Sequence, residues 1–222
     1  MECAHTNMPH TEFIGPNGET DWPSVTQVCD VPAKPQLYAF YAKHGVDGVA
    51  KILADTGDIG REFHGGIEAR FSGKPETYTT DAKAMVDAFF DDFVKPYKVV
   101  PITLETKVVN IPERYHGTYD GVVHVTNLPY GKGIKGIYTG KIMADWKSSN
   151  GIYDTHGLQL GGYWGAENNP LLTTKHGLIV QVRRDTQVVR RKVFQNLEFY
   201  HQEFLHARYL WDYIHKKGAW AP

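Results

Sequence analysis

Asp145 and Lys147 stand two residues apart at the end of an apolar run that predicts a buried strand. Successive side chains on a strand point to opposite faces, so the carboxylate and the amine share one face and Trp146 lies on the other. Gln159 and Tyr163 follow four residues apart in a predicted helix, and they also share a face. A carboxylate beside a lysine indicates a metal ion next to a developing anion.

Two further acidic residues occur in strand contexts, where an unpaired charge is costly. Glu105 interrupts an apolar run, and Asp120 closes the turn that begins at Gly117. Buried carboxylates repel one another unless a positive group lies among them, and Lys147 alone cannot balance three. We therefore expect a divalent cation, Mg²⁺ or Mn²⁺, since oxygen ligands favour these ions over zinc. Taken singly, Asp120 fits an ordinary turn residue and the Asp-x-Lys pattern occurs by chance in many proteins.

The hydrophobic periods predict several helices, then an antiparallel meander of three strands, a further helix, two more strands and a C-terminal helix. Residues 1–22 look like a loosely ordered lead-in, and residues 23–222 form one domain. The predicted helices are Pro35 to Gly45, Val46 to Leu53, Ile59 to Phe71, a helix capped by Thr80 that ends before Pro96, the helix of Gln159, and Asn196 to Lys217. The predicted strands are Val99 to Ile111, Tyr115 to Val125, a strand ending at Lys147, Gly177 to Val182, and Gln187 to Val193.

Composition excludes several classes of protein. Hydrophobic residues make up 41% and charged residues 22%, as in ordinary globular domains. The 2 cysteines are too few for a disulfide framework or a four-cysteine cluster. No apolar run is long enough to cross a membrane, and the first residues resemble neither a signal peptide nor a transit peptide. We expect a cytoplasmic protein.

One histidine lies close to the apolar stripe of the third predicted helix. His64 is four residues before Glu68, and a hydrogen bond between these two side chains is the simplest interpretation of that spacing.

The order of all these features carries more information than any one of them. The chain resembles the PD-(D/E)XK nuclease superfamily in its RecB-like branch, and is most similar to the mitochondrial genome maintenance exonucleases and related phage and bacterial exonucleases. The matching segments are residues 60–64 (GREFH), Glu105, residues 115–120 (YHGTYD), residues 144–149 (ADWKSS), residues 159–166 (QLGGYWGA) and residues 176–180 (HGLIV).

The resemblance implies an α/β fold, a single restriction-endonuclease-like domain with a central mixed β-sheet flanked by helices. It also implies a role for each matching residue. Asp120 and Asp145 would bind the metal with His64 and the backbone carbonyl of Trp146, and a histidine ligand favours Mn²⁺. Glu105 would support the metal. Lys147 would position or deprotonate the attacking water. Gln159 and Tyr163 would orient the site and touch the DNA backbone.

The implied function is a metal-dependent DNA exonuclease that acts on ends or single strands in replication, recombination or repair. A structure-selective endonuclease with the same core and a non-cleaving DNA-binding protein are the alternatives. Some relatives hold an iron–sulfur cluster, and with 2 cysteines this chain is not expected to. No helicase motif occurs, so a helicase, a recombinase or a single-strand-binding protein is an expected partner. A bacterial protein, or a phage protein in the host cytoplasm, fits the lack of a mitochondrial address.

DNA binding requires a basic surface. The candidates are Lys132 and Lys135 in a glycine-rich loop, and Arg183, Arg184, Arg190, Arg191 and Lys192 around the last predicted hairpin. A solvated hairpin face explains the same charges equally well. Tyr153, Trp164 and Tyr115 are candidates for stacking on bases, with core packing as the alternative for Trp164.

Overall fold

The β-branched residues that follow Pro96 form a five-stranded sheet in a computed structural model of the chain, which describes residues 13–32, 35–131 and 135–215. The strands are β1 (Val100–Asn110), β2 (Tyr115–Pro129), β3 (Ile137–Lys147), β4 (Gly177–Val182) and β5 (Val189–Phe194). They lie in the order β1-β2-β3-β4-β5, and only the β3–β4 pair is parallel. A central mixed sheet flanked by helices confirms the predicted α/β class.

In the described part of the chain, five helices surround the sheet. They are α1 (Val25–Val28), α2 (Pro35–Ser72), α3 (Thr80–Phe89), α4 (Thr155–Ala166) and α5 (Leu197–His215). A π-helical turn extends α3 over residues 90–94. The parallel pair is possible because α4 crosses from the end of β3 to the start of β4.

Two details of the helix prediction were wrong. The three helices expected between residues 35 and 71 form one element, α2, whose only non-helical residue is Gly45 at φ 70° and ψ 169°. The predicted break there is confirmed, whereas the predicted break after Leu53 is absent. The cap of α3 is Thr79 rather than Thr80, because the Thr79 hydroxyl accepts the backbone N–H of Ala82.

A hydrophobic core fills each face of the sheet. On the first face, Trp146 packs with Phe63 and Ile67 of α2 and with Phe89 of α3, and all four are buried. Helices α1, α4 and α5 cover the second face, where they contact Met143 and Ile179. Trp146 therefore faces away from Asp145 and Lys147, as the strand period predicts.

The segment before α1 contacts the domain. Trp22 is buried, and the ring of Phe13 stacks on that of His116 with 4.2 Å between centroids. Residues 1–12 of the predicted lead-in lie outside the described part of the chain. Within residues 13–215, as far as they are described, no helix combines the length and apolarity needed to cross a membrane.

Candidate active site

Glu105 and Asp120 meet where β1 and β2 lose their regular alternation. The register of the pairs on either side places these two residues opposite each other. Glu105 has φ 45°, in the left-handed region that costs a non-glycine residue about 1–3 kcal/mol. On β2, Tyr119 and Val122 are three residues apart and yet both enter the second core, so side-chain alternation is interrupted between them. This local irregularity brings two carboxylates to one point at the edge of the core.

His64 completes a cluster with these two acids. Its Nδ1 lies 3.2 Å from Oδ1 of Asp120, and Glu68 instead pairs with Lys74 at 3.2 Å. The simplest interpretation of His64, a hydrogen bond to Glu68, was therefore wrong. One ligand atom from each of His64, Glu105 and Asp120 lies within 4.8 Å of the others.

The donor set of this cluster fits a divalent cation. Two carboxylates and one imidazole nitrogen converge from α2, β1 and β2, and carboxylate oxygens with a nitrogen ligand suit Mn²⁺ or Mg²⁺. Asp120 is buried, whereas Glu105 is exposed at the rim, so the cluster opens to solvent on one side. Such an arrangement leaves room for water or a substrate oxygen.

Asp145 lies beside this cluster in a second group of side chains. Its Oδ2 is 2.6 Å from Nζ of Lys147, and its Oδ1 accepts a hydrogen bond from Nε2 of Gln159 at 3.3 Å. Gln159 also donates to the hydroxyl of Tyr163 at 3.0 Å. Direct contacts thus join the four side chains that the sequence predicts for this part of the site: Asp145, Lys147, Gln159 and Tyr163. The Asp145 residue is 2% exposed.

The backbone of β3 connects the two groups. The N–H of Trp146 donates to Oδ2 of Asp120, so the residue after Asp145 is held against the first cluster. Asp145 is absent from the set of side chains within 4.8 Å, and its expected role as a metal ligand remains a prediction. The same holds for the backbone carbonyl of Trp146, because the contact observed at this residue is made by its N–H.

Burial and charge shift the pKa values of both clusters. Burial disfavours the charged form of Asp120, but the charge and hydrogen bond of His64 outweigh it, and the pKa of Asp120 is lowered. The pKa of His64 is raised, since Asp120 more than offsets burial. Partial desolvation and the charge of Asp120 raise the pKa of Glu105 to about 7. Burial raises the pKa of Asp145 to about 6.

Lys147 differs from the expectation for a general base. Burial disfavours the charged form of Lys147 and so lowers its pKa. The negative charges of Asp145 and Asp120 have a larger effect in the opposite direction, and the pKa of Lys147 is raised. A base at neutral pH needs a lowered pKa. In the metal-free geometry Lys147 is therefore an ammonium ion, suited to stabilising negative charge on a phosphate.

The sequence interpretation missed Gln181. This side chain is fully buried on β4, in register with Lys147, and its Nε2 donates to the backbone carbonyl of Ser149. Its Oε1 has no hydrogen-bond partner among the described residues. Gln181 fixes the loop that follows Lys147, and a glutamine inside the apolar run GLIVQV is the signal that identifies it.

Several of the basic residues predicted to bind DNA already have partners within the protein. Arg183 pairs with Asp185, Arg184 with Asp81, and Lys192 with Asp154. The guanidinium of Arg191 lies over the ring of Tyr97, 4.5 Å from its centroid. Lys135 is exposed, and Lys132 lies outside the described residues.

Among the described residues of the β4–β5 hairpin, Arg190 and Lys192 lie on the sheet face of the site, and Lys192 is already paired with Asp154. The partner of Arg190 in register is Gln181, which in turn pairs with Lys147, so the three side chains share one sheet face. Arg191 points to the opposite face. Arg190 is exposed and forms no ion pair with any residue in the described ranges.

The three aromatic residues predicted to stack on bases lie in different environments. Tyr115 is fully buried and donates to the carbonyl of Gly162, so its predicted stacking on bases was wrong. Trp164 packs beside the second core, with its ring 5.7 Å from that of His201. Tyr153 is partly exposed in the loop after β3.

Comparisons with known proteins add little to this geometry. No protein-family model matches the chain, and no curated protein sequence matches it. The crystal structure of SSO0001 is similar, with a TM-score of 0.44 and 15% identity over 90% of this chain and 79% of that chain. A likeness at that level carries no conclusion about function.

Proposed function

We propose that this protein is a Mg²⁺- or Mn²⁺-dependent DNA exonuclease that acts on ends or single strands. One observation carries the proposal: the metal-type cluster of His64, Glu105 and Asp120 adjoins the Asp145–Lys147 ion pair. Phosphodiester hydrolysis needs both parts, a cation site for the phosphate and a positive side chain for the charge that develops. The resemblance of the sequence motifs to RecB-like nucleases supports the same conclusion.

Each side chain of the site has a task in this reaction. His64, Glu105 and Asp120 would hold the cation, which supplies a polarised phosphoryl oxygen and an activated water. The ammonium of Lys147 stabilises negative charge on the phosphate. Gln159 keeps Asp145 oriented, and the Tyr163 hydroxyl keeps Gln159 in place.

The proposal extends to partners and location. A helicase, a recombinase or a single-strand-binding protein is its proposed partner, because these proteins generate or hold single-stranded DNA. Its proposed location is the cytoplasm of a bacterium or of a phage-infected host. Arg190 and Lys135 are its proposed phosphate contacts outside the centre.

A gel assay tests the proposal. End-labelled single-stranded DNA, end-labelled duplex and closed circular single-stranded DNA are each incubated with the protein in Mg²⁺, Mn²⁺ or EDTA. An exonuclease degrades the linear substrates in metal and leaves the circle intact.

The other outcomes contradict the proposal in different ways. Metal-dependent cleavage of the circle identifies an endonuclease with the same centre. A protein that binds these substrates and cleaves none of them is a DNA-binding protein without catalysis.

A further inference from the structure

A cavity of about 410 Å³ lies next to the candidate active site. It is enclosed by Phe13, helix α1, and the paired strands β1 and β2, and Tyr163 forms part of its wall. Its volume lies within the range of small-molecule sites and suits one nucleotide. None of the roles discussed so far uses this cavity.

Two parallel rings in the wall form a stacking surface. Phe13 and His116 stack with 4.2 Å between centroids and 10° between planes, and both line the cavity. A planar base can extend such a stack by one layer, and base–aromatic stacking does not depend on which base is present.

A cation also lines the cavity. Lys107 is exposed on β1, pairs in register with Thr118, and forms no ion pair with any residue that the structure describes. Most cations of the β4–β5 hairpin already have acidic partners, whereas the charge of Lys107 is available to a phosphate. Lys107 also lines a second depression, which contains the carboxylate of Glu167. An anion is therefore favoured in the first cavity, whose lining includes Lys107 and no acidic residue.

Hydrogen bonds connect the cavity with the reacting centre. Tyr163 lines the cavity, its hydroxyl accepts from Gln159, and Gln159 donates to Asp145. A nucleotide in the cavity is therefore two hydrogen bonds away from a catalytic carboxylate. The nucleotide in the cavity would then be the one next to the nucleotide whose phosphodiester is cleaved.

We infer that this cavity binds one unpaired nucleotide of the DNA strand adjacent to the scissile phosphate, with its base on the Phe13–His116 stack and its phosphate on Lys107. The inference rests on the proposed nuclease function. A paired base is already stacked within a duplex, so the cavity selects single-stranded substrate. It gives the proposed preference for ends and single strands a structural origin.

Binding and kinetics together test the inference. Full-length wild type, Phe13→Ala, Lys107→Ala and Lys107→Arg are compared by fluorescence anisotropy with a short fluorescein-labelled oligothymidylate in EDTA, where cleavage is blocked. KM and kcat for the same oligonucleotide are then measured in Mn²⁺. Lys175→Ala is the matched control, because Lys175 is an exposed lysine just before β4, at the opposite end of the sheet.

We expect Phe13→Ala and Lys107→Ala each to weaken binding and raise KM about tenfold with kcat nearly unchanged. Lys107→Arg restores most of the affinity, and Lys175→Ala behaves as wild type. Wild-type affinity and KM in both alanine variants overturn the inference and leave the nuclease proposal intact. If Phe13→Ala and Lys107→Ala bind the oligonucleotide more weakly than wild type, but wild type never cleaves DNA, the cavity remains a nucleotide site and the nuclease proposal fails.

Discussion

Nδ1 of His64 lies 3.2 Å from Oδ1 of Asp120, and this contact joins helix α2 to strand β2 across 56 residues of sequence. Both side chains also lie within reach of Glu105, so one helix and two strands contribute to the same cluster. A purely structural histidine would need one hydrogen-bond partner, and here it faces two carboxylates. The arrangement predicts a cation site.

His64→Ala is expected to weaken Mn²⁺ binding about tenfold or more, since one of the three proposed metal ligands is lost. Isothermal titration calorimetry on the folded variant measures the effect. Glu68→Gln is the matched control, because Glu68 lies one turn further along α2 and pairs with Lys74. Equal Mn²⁺ affinity in His64→Ala and wild type would contradict the metal assignment.

Gly117→Ala tests how Tyr163 is positioned. A Cβ at Gly117 would lie 2.7 Å from Cε1 of Tyr163, so the ring or the strand has to move. We expect a loss of about 1–3 kcal/mol in the free energy of unfolding, measured with urea, together with slower DNA cleavage.

Gly65→Ala is the control for that substitution. Gly65 lies in α2 with open space around its Cα, and alanine there stabilises a helix by up to about 1 kcal/mol. If Gly117→Ala is as stable and as active as wild type, the close contact with Tyr163 has no functional role.

Glu105 makes the metal-free protein sensitive to pH. Its folded-state pKa, about 7, lies above its ordinary value of 4.5, so the folded protein holds more protons than the unfolded chain between these values. Stability of the metal-free protein therefore falls as pH rises through this window. In EDTA at about pH 8, Glu105→Gln should be more stable than wild type by about 1 kcal/mol, allowing for solvent screening of an exposed carboxyl.

Urea unfolding across the pH range measures this difference. Below about pH 4 the wild-type and Glu105→Gln proteins should agree, because the carboxyl is then protonated in both the folded and the unfolded states. A stability difference between the two proteins that grows toward acid pH would have the opposite sign and would reject the raised pKa of Glu105, which burial and the charge of Asp120 cause.

Substitution of the adjacent residues Arg190 and Arg191 is expected to have different effects on DNA binding. Arg190 shares a sheet face with Lys147, whereas Arg191 lies over Tyr97 on the other face. We expect Arg190→Ala to weaken DNA binding at all sequences and to reduce its dependence on salt by about one phosphate contact. Arg191→Ala should leave DNA affinity unchanged and lower stability by about 0.5–1 kcal/mol. Equal DNA affinities for both variants would exclude Arg190 from the DNA surface.

Period and residue type predict part of this molecule well. The period of two puts Asp145 and Lys147 on one face, and the period of 3.6 brings Gln159 and Tyr163 together, as the structure shows. The strand β4 occupies the predicted residues, and β1 and β2 differ from their predicted ends by a few residues. Helix α5 begins one residue after its predicted start, and residues 216 and 217 of the prediction lie outside the described part of the chain. Local patterns determine these features, so a single sequence is enough.

The remaining parts of the site depend on contacts that no local pattern records. His64 has Glu68 one turn away, and only the packing of α2 on the sheet turns it toward Asp120. The left-handed backbone of Glu105 is not a property of glutamate, and tertiary contacts impose it. The Phe13–His116 stack brings together residues far apart in sequence.

Release of label from an end-labelled single-stranded oligonucleotide in Mn²⁺ tests the central claim most directly. Wild type, Asp120→Asn, Lys147→Gln and the control Lys175→Gln are compared, with circular dichroism to show that each variant is folded. We predict that wild type and Lys175→Gln release label in Mn²⁺ but not in EDTA. Asp120→Asn and Lys147→Gln should bind the oligonucleotide and release none. Release by either of these two variants at the wild-type rate, or no release by wild type, would contradict the account.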